Sequence, residues 1–181
     1  PEVIAAWTPF SKQVESLRAL RSQLLIRWFN ADEQKRTTLA VVGMERGAGR
    51  SYLAANLAVV FSQLGERTLL IDADLRNPRQ HELFGLQNVK GLSTILSGRA
   101  GADGIQRIPA FVDLSVLTAG PIPPNPSELI GRAAFAALVD DLAHQFDVVL
   151  FDTPAGVSGS DALAVATQAQ GALIVARKNM S

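Results

Sequence analysis

The sequence predicts an α/β fold with three layers, α/β/α, in which helices cover both faces of a mostly parallel sheet. Short apolar runs alternate with segments of helical periodicity, and these runs lack the polar alternation of a half-exposed strand. Strands that are buried on both faces give such runs, and their alternation with helices is typical of parallel sheets. With 181 residues, the chain is long enough to bury a substantial core as one domain.

The same pattern places the individual elements along the chain. The strands are predicted at residues 38–43, 68–74, 114–119, 148–153 and 172–177. The longer helices are predicted from Thr8-Pro9 to about Asn30, from the glycine-rich turn to about Leu64, from Pro126 to about Gln145, and over 158–169. Shorter helical pieces are expected at 79–84 and 92–96. Proline in the first turn and glycine after the last residue, as at Gly65, are common helix boundaries.

Composition limits the classes of function. Lys and Arg together number 17, as do Asp and Glu, which argues against a broad basic surface, so we expect no nucleic-acid partner. The sequence contains no cysteine, which removes disulfides, zinc–cysteine sites and thiol catalysis and fits a cytoplasmic protein. No apolar run approaches the roughly 20 residues that span a bilayer. Both ends, Pro1 and Ser181, look like cuts, so we expect a domain truncated at its C-terminus.

The most informative segment is residues 38–58, TLAVVGMERGAGRSYLAANLA. An apolar strand runs into a turn that contains three glycines, and a hydroxyl residue and a helix follow. Glycines let backbone N–H groups approach a phosphate, and a helix N-terminus adds positive partial charge. The residues expected to contact nucleotide phosphates are Gly47, Ala48, Gly49, Arg50, Ser51 and Tyr52. The alternative is an ordinary strand-to-helix turn, which also uses glycine.

Aspartates follow two of the predicted strands. Asp72 and Asp74 close one strand, and Asp152 closes another. In an open parallel sheet, ligands bind outside the carboxyl ends of the strands. Mg²⁺ takes one or two carboxylates, a loop hydroxyl and phosphate oxygens, so Ser51, Asp72, Asp74 and Asp152 form the predicted metal site. The alternative is that these aspartates only begin the next turn.

Five segments together carry a resemblance to a known family. They are the glycine loop at 43–51, D-x-D-x-R at 72–76, the segment GLSTIL at 91–96, N-P-x-E-L at 125–129 and the apolar strand with D-T-P at 148–154. The set resembles the bacterial tyrosine kinases of exopolysaccharide synthesis, the chain-length-determinant group within the deviant P-loop ATPases. The resemblance implies a ParA/MinD-like P-loop NTPase fold over residues 37–181, preceded by an N-terminal helix and linker at 1–36.

The resemblance also implies an activity. A protein of this family is an ATP-dependent protein-tyrosine (auto)kinase that regulates exopolysaccharide synthesis, chain length or export, with ATP or ADP and Mg²⁺ as ligands. By resemblance, Asp72 accepts the proton of the incoming tyrosine hydroxyl, and Arg50 joins the loop amides in holding the β- and γ-phosphates. The implied partner is a chain-length-determinant membrane protein whose cytoplasmic segment activates the kinase. The kinase would lie in the cytoplasm and reach the inner membrane through that partner.

A motif near the N-terminus bears on assembly. E-x-x-R-x-x-R contains Glu15, Arg18 and Arg21, which share one polar face if the segment is helical. From the residues alone, a solvated face with local ion pairs is the simpler interpretation. The resemblance implies subunit contacts in a ring, so we expect an oligomer interface on this face.

Two departures from the family pattern keep other functions open. Arg50 stands where the loop carries lysine, a compact charge, so it is open whether phosphoryl transfer survives. The single tyrosine of this sequence, Tyr52, begins the loop helix. The tyrosine-rich tail of the family either lies beyond Ser181 or is missing from this protein. The alternatives are a catalytically weak nucleotide-binding regulatory subunit and a ParA/MinD-type ATPase switch. The switch proteins carry an early signature lysine, and this chain has Glu45 there.

Overall fold

A computed structural model describes residues 2–178 and contains one six-stranded sheet; Pro1 and residues 179–181 lie outside the described part. The strands are β1 (Thr38–Val42), β2 (Thr68–Asp72), β3 (Ile105–Arg107), β4 (Leu114–Leu117), β5 (Val148–Asp152) and β6 (Ala172–Ile174). Their order across the sheet is β3-β4-β2-β5-β1-β6, and every neighbouring pair is parallel except β3 with β4. The prediction of a mostly parallel sheet is confirmed.

Helices cover both faces of this sheet and give the predicted three layers. They are α1 (Ile4–Trp7), α2 (Lys12–Leu24), α3 (Arg50–Ser62), α4 (Gln80–Phe84), α5 (Leu92–Leu96), α6 (Pro126–Gly131), α7 (Ala133–Gln145) and α8 (Asp161–Gln168). A π-helical stretch (Leu25–Phe29) extends α2, and short 3₁₀ turns lie at Ala102–Gly104 and Gly156–Ser158.

Each face of the sheet has its own hydrophobic core. In the first core, which includes α1 to α4, Phe29 meets Phe61 of α3 edge-on, with ring centroids 5.4 Å apart. In the second core, which includes α5 to α8, Phe135 meets Phe151 of β5 in the same way at 6.1 Å. Successive strand residues alternate between the two cores. Because both faces are covered, the central strands β2 and β5 are buried along their length, as their continuous apolar sequences require.

The N-terminal helix differs from the prediction. α2 begins at Lys12, and Ser11 caps it by accepting a hydrogen bond from the N–H of Val14 at 3.3 Å. Thr8 instead follows α1, a helix that the sequence did not indicate. The predicted start at Thr8-Pro9 was wrong because Ser11 offers a second N-cap oxygen three residues later, and proline also fits the turn between two helices.

The single helix predicted from Pro126 to Gln145 is two helices. At Arg132 the backbone leaves the helical conformation and becomes extended, with ψ at 149°. The break follows directly after Gly131, a weak helix former that ends α6. Asn125 does not cap α6 through its side chain; its amide donates to the carboxylate of Glu128 at 3.1 Å instead.

The strands also differ in detail from their predicted extents. β3 was not predicted, because it lies in the mixed segment 75–113 and lacks an apolar run. The other strands end earlier than predicted. After β2 the chain turns because the side chain of Asp72 accepts the N–H of Asp74 at 3.2 Å. The last predicted helix begins at Asp161 rather than at residue 158, after a 3₁₀ turn.

Candidate functional site

The glycine-rich loop joins β1 to α3 at the carboxyl edge of the sheet. Gly47 and Gly49 have φ values of +72° and +96°, in the left-handed region that favours glycine. Gly43 lies so close to the chain after β6 that a Cβ there would stand 2.7 Å from the carbonyl oxygen of Val175. The glycines therefore allow the backbone path that brings the loop back to the N-terminus of α3, where backbone N–H groups can bind an anion.

A pocket of about 350 Å³ opens in front of this loop. Five of the six residues predicted to contact nucleotide line it, and Ala48 does not: the five are Gly47, Gly49, Arg50, Ser51 and Tyr52. Charged side chains from other elements complete the lining, among them Glu2, Asp74 and Arg79. The sequence prediction therefore identified one continuous surface, while the roles of its residues stay predictions.

Arg50 is buried, and its guanidinium binds the backbone of the protein. Nε donates to the carbonyl of Thr153 at 3.0 Å, and Nη1 donates to the carbonyls of Gly43 at 3.3 Å and Glu45 at 2.5 Å. Among the described residues, Nη2 has no hydrogen-bond partner. In this conformation Arg50 ties the loop to the chain after β5.

Asp72 and Asp152 end neighbouring strands and stand opposite each other in the β2–β5 register. The oxygens of Asp72 accept the N–H groups of Asp74 at 3.2 Å, Arg79 at 3.0 Å and Gln80 at 2.9 Å. Burial, and next the charge of Asp152, raise the pKa of Asp72 well above its ordinary value, against these hydrogen bonds. Asp72 lies behind the pocket lining and holds the turn after β2.

Asp152 is fully buried, and only one of its two carboxylate oxygens accepts a hydrogen bond from the described residues. Its Oδ2 accepts a hydrogen bond from the side-chain amide of Gln80 at 2.8 Å. Burial raises the pKa of Asp152 to about 6, although the hydrogen bond from Gln80 and the nearby hydroxyl of Ser51 oppose the rise. Its Oδ1 has no partner within residues 2–178. A buried carboxylate oxygen without a donor fits a cation or a water molecule that a cation holds.

Of the three predicted aspartates, Asp74 is the one that lines the pocket. Its Oδ1 accepts the N–H groups of Arg76 at 3.1 Å and Asn77 at 2.9 Å. Across the described chain, no three His, Cys, Asp or Glu side chains converge to hold a metal ion by themselves. The donor set nevertheless fits Mg²⁺, which takes most of its ligands from phosphate and water and needs only one or two carboxylates.

Sequence comparison with known proteins shows the family to which the chain belongs. No family model matches the chain. The tyrosine-protein kinase YwqD of Bacillus subtilis is 38% identical over 173 residues, which cover 96% of this chain and 72% of YwqD. The chain belongs to the bacterial tyrosine kinases. The putative tyrosine-protein kinase CapB of Staphylococcus aureus, another similar protein, is 38% identical over 146 residues, 81% of this chain.

Solved structures support the bacterial tyrosine kinase family and its fold. The kinase domain of Escherichia coli ETK superposes with a TM-score of 0.92 at 34% identity, covering 99% of this chain and 69% of that chain. The septum site-determining protein MinD of Pyrococcus horikoshii, complexed with Mg-ADP, matches 77% of this chain and 57% of its own at a TM-score of 0.67. At 23% identity, MinD shows the P-loop ATPase fold alone.

The chain spans only part of the length of several relatives. It spans 63% of CapB and 24% of the tyrosine-protein kinase wzc of Salmonella typhimurium, to which it is 35% identical over 176 residues. Between residues 2 and 178, the helices are too short or too polar to cross a bilayer.

The predicted oligomer motif of the bacterial tyrosine kinase chain lies on α2, away from the pocket. Glu15 and Arg18 form an ion pair at the surface. Arg21 is half-buried, and its Nη1 donates to the carbonyl of Val60 in α3 at 2.6 Å. Within one subunit, therefore, Arg21 joins two helices, while Glu15 is exposed and Arg18 is half-buried. Their role in assembly stays a prediction.

Gln80 is the residue of this site that the sequence prediction missed. It is fully buried at the start of α4 and contacts Asp72, Asp152 and the loop helix. No motif marked it, because its importance depends on where the turn after β2 places it. The four-residue spacing between the D-x-D-x-R motif and Gln80 is the only sequence signal.

Proposed function

We propose that the chain is the catalytic domain of an ATP-dependent protein-tyrosine kinase that acts in bacterial exopolysaccharide synthesis. The observation that carries this proposal is that the glycine loop at the N-terminus of α3 and Asp74 line one pocket, with the buried Asp72 and Asp152 at the ends of two neighbouring strands. Membership of the bacterial tyrosine kinase family gives the reaction class. The physiological substrate is a tyrosine side chain, on this protein or on another.

The proposed site residues have two roles: some would bind the phosphates, and others would bind Mg²⁺. Backbone N–H groups from Gly47 to Ser51 would donate to phosphate oxygens, with Nη2 of Arg50 adding positive charge. The Ser51 hydroxyl, Asp74 and Asp152 would hold Mg²⁺ directly or through water. When bound, Mg²⁺ supplies neutralisation of the charge on the β- and γ-phosphates.

Asp72 as the acceptor of the tyrosine proton is also part of this proposal. Its raised pKa suits a proton acceptor. In the described conformation, however, its oxygens accept three backbone N–H groups. The incoming hydroxyl would have to take the place of one of them, so the turn at residues 73–80 must move before transfer.

A second function is favoured by one observation on Arg50. Because its guanidinium binds three carbonyls, the loop is stabilised even if no phosphate is transferred. A catalytically weak, nucleotide-binding regulatory subunit would need only that. A ParA/MinD-type ATPase switch is disfavoured, since Glu45 replaces the early lysine and offers Arg50 its carbonyl oxygen instead.

The proposed partners follow from the family. A chain-length-determinant membrane protein would contribute an activating cytoplasmic segment and bring the kinase to the inner membrane. Copies of the kinase would assemble through the ion pair of Glu15 and Arg18 at the surface of α2. The even charge balance of the chain supports protein partners over nucleic acid.

The proposal is tested by incubating the chain with Mg²⁺, γ-labelled ATP and a tyrosine-containing peptide, followed by phosphoamino-acid analysis. We expect label on tyrosine, and a drop of about 100-fold or more in Ser51→Ala, because positioning and charge neutralisation provide most of the rate. Ser16→Ala, at an exposed serine on α2, serves as the matched control. ATP binding without any phosphotyrosine would contradict the kinase proposal and favour the nucleotide-binding regulatory subunit.

A further inference from the structure

Gln80 joins the three elements that build the proposed nucleotide site. Its backbone N–H donates to Oδ2 of Asp72 on β2 at 2.9 Å. Its side-chain amide donates to Oδ2 of Asp152 on β5 at 2.8 Å and to the carbonyl of Ser51 in α3 at 3.1 Å. Because the residue is fully buried, these contacts fix Asp152 in one orientation relative to the loop helix.

This arrangement leaves two acceptors without donors. In the part of the chain that the structure describes, Oε1 of Gln80 and Oδ1 of Asp152 are both buried and both lack a hydrogen-bond partner. Leaving such a group unpaired is unfavourable, because a buried acceptor gives up its hydrogen bonds to water without replacing them. Turning the amide of Gln80 over would not help, since its Nε2 faces two acceptors, Asp152 and the Ser51 carbonyl.

A group that satisfies both acceptors must present protons. Water bound to a divalent cation does so, because its oxygen faces the metal and its hydrogens face outward. Mg²⁺ characteristically keeps several such waters in protein sites. The atoms left unpaired at Asp152 and Gln80 are therefore of the kind that the hydration shell of Mg²⁺ would satisfy.

We propose that Gln80 is a positioning residue for magnesium in this site, an inference that rests on the nucleotide binding proposed above. Its amide N–H holds Asp152 so that Oδ1 stays free for the hydrated ion, and its own Oε1 accepts from the same hydration shell. Residues that orient metal ligands in this way contribute to metal affinity without touching the metal.

The test measures how much Mg²⁺ improves ADP binding, by calorimetry with MgCl₂ and with EDTA. In Gln80→Met, which keeps the length of the side chain but neither donates nor accepts, we expect the ratio of the two ADP dissociation constants to fall about tenfold. The ADP affinity in EDTA should stay within about twofold of wild type, because Gln80 would act through the metal. Gln145→Met, at an exposed glutamine of α7, is the matched control.

A second variant keeps the test valid if Gln80→Met does not fold, and thermal unfolding shows whether each protein is folded. Gln80→Asn keeps an amide in the space but withdraws it by one methylene, so the magnesium effect should fall there too. The inference is overturned if the ratio is unchanged, or if affinity falls equally in both buffers, which is the mark of a purely structural residue. No ADP binding by wild type in either buffer would overturn the proposed function itself, and this inference with it.

Discussion

At the scale of single residues, Arg50 shows what the sequence could and could not reveal. Its place after two glycines marks the loop, and its identity departs from lysine. Its three carbonyl partners could not be predicted, because one of them belongs to Thr153, which follows a strand about a hundred residues later. The same limit applies to Gln80, whose partners lie on three different elements.

The first prediction concerns the stability that Arg50 gives to the loop. Lysine has no counterpart of Nε and a different reach, so Arg50→Lys should leave at least one buried carbonyl unpaired. We expect the free energy of unfolding in urea to drop by about 2 kcal/mol. Arg46→Lys, at an exposed arginine of the same loop, should change it by less than about 0.5 kcal/mol. Equal stability of the two variants would show that the guanidinium contacts are weak.

The second prediction uses the pKa of Asp152, which folding raises from 3.8 to about 6. The folded protein then binds more protons than the unfolded chain between these values, so stability falls as pH rises through this window. Asp152→Asn removes this penalty, and at pH 8 we expect the variant to be more stable than wild type by on the order of 2 kcal/mol. The difference should shrink toward pH 4 in urea unfolding.

Asp147 provides a control of opposite sign for that measurement. A hydrogen bond from Arg67 lowers the pKa of Asp147, so its contribution to stability is present above the unfolded pKa and is lost as pH falls. Asp147→Asn should therefore be less stable than wild type at pH 8. If both variants lose stability at pH 8, the buried carboxylate is not an unfavourable charge.

At the scale of elements, the sequence predicts whether a segment is a helix or a strand better than it predicts where that helix or strand begins and ends. The long helices and the buried strands follow from periodicity, because core packing and apolar pattern agree there. The break at Arg132 and the short antiparallel β3 did not follow, since the break interrupts an otherwise continuous helical pattern and β3 has no apolar run of its own but pairs with β4. Helix starts were misplaced where two N-cap residues compete, as Thr8 and Ser11 do.

The third prediction concerns the start of α5 at Gly91. A Cβ on this residue would stand 2.3 Å from both the backbone nitrogen of Gly120 and the carbonyl oxygen of Thr118, and backbone atoms cannot move aside cheaply. We expect Gly91→Ala to cost about 3 kcal/mol in urea unfolding. Gly131→Ala, at the end of α6 where a Cβ meets nothing within 4 Å, should be nearly neutral. Equal stability of the two would mean that α5 can shift from its place beside β4.

At the scale of the whole molecule, the strand order makes the site. β5 lies between β1 and β2, so Asp152 stands beside Asp72 in register and the glycine loop after β1 is on its other side. The sequence predicts that strand-end residues share an edge of the sheet, but it does not predict which strands are neighbours. The two hydrophobic cores hold this edge in place from both faces.

The central claim is that a magnesium nucleotide lies at the loop between β1 and α3. Two-dimensional ¹⁵N NMR of the wild-type chain, titrated with ADP and Mg²⁺, tests it most directly, because each backbone amide is seen separately. We expect the largest shifts at the amides of residues 47–52 and 74–80. Residues 34–38, beside a polar pocket that the loop does not line, should change little. Shifts concentrated at residues 34–38, or none at the loop with saturating nucleotide, would contradict the claim.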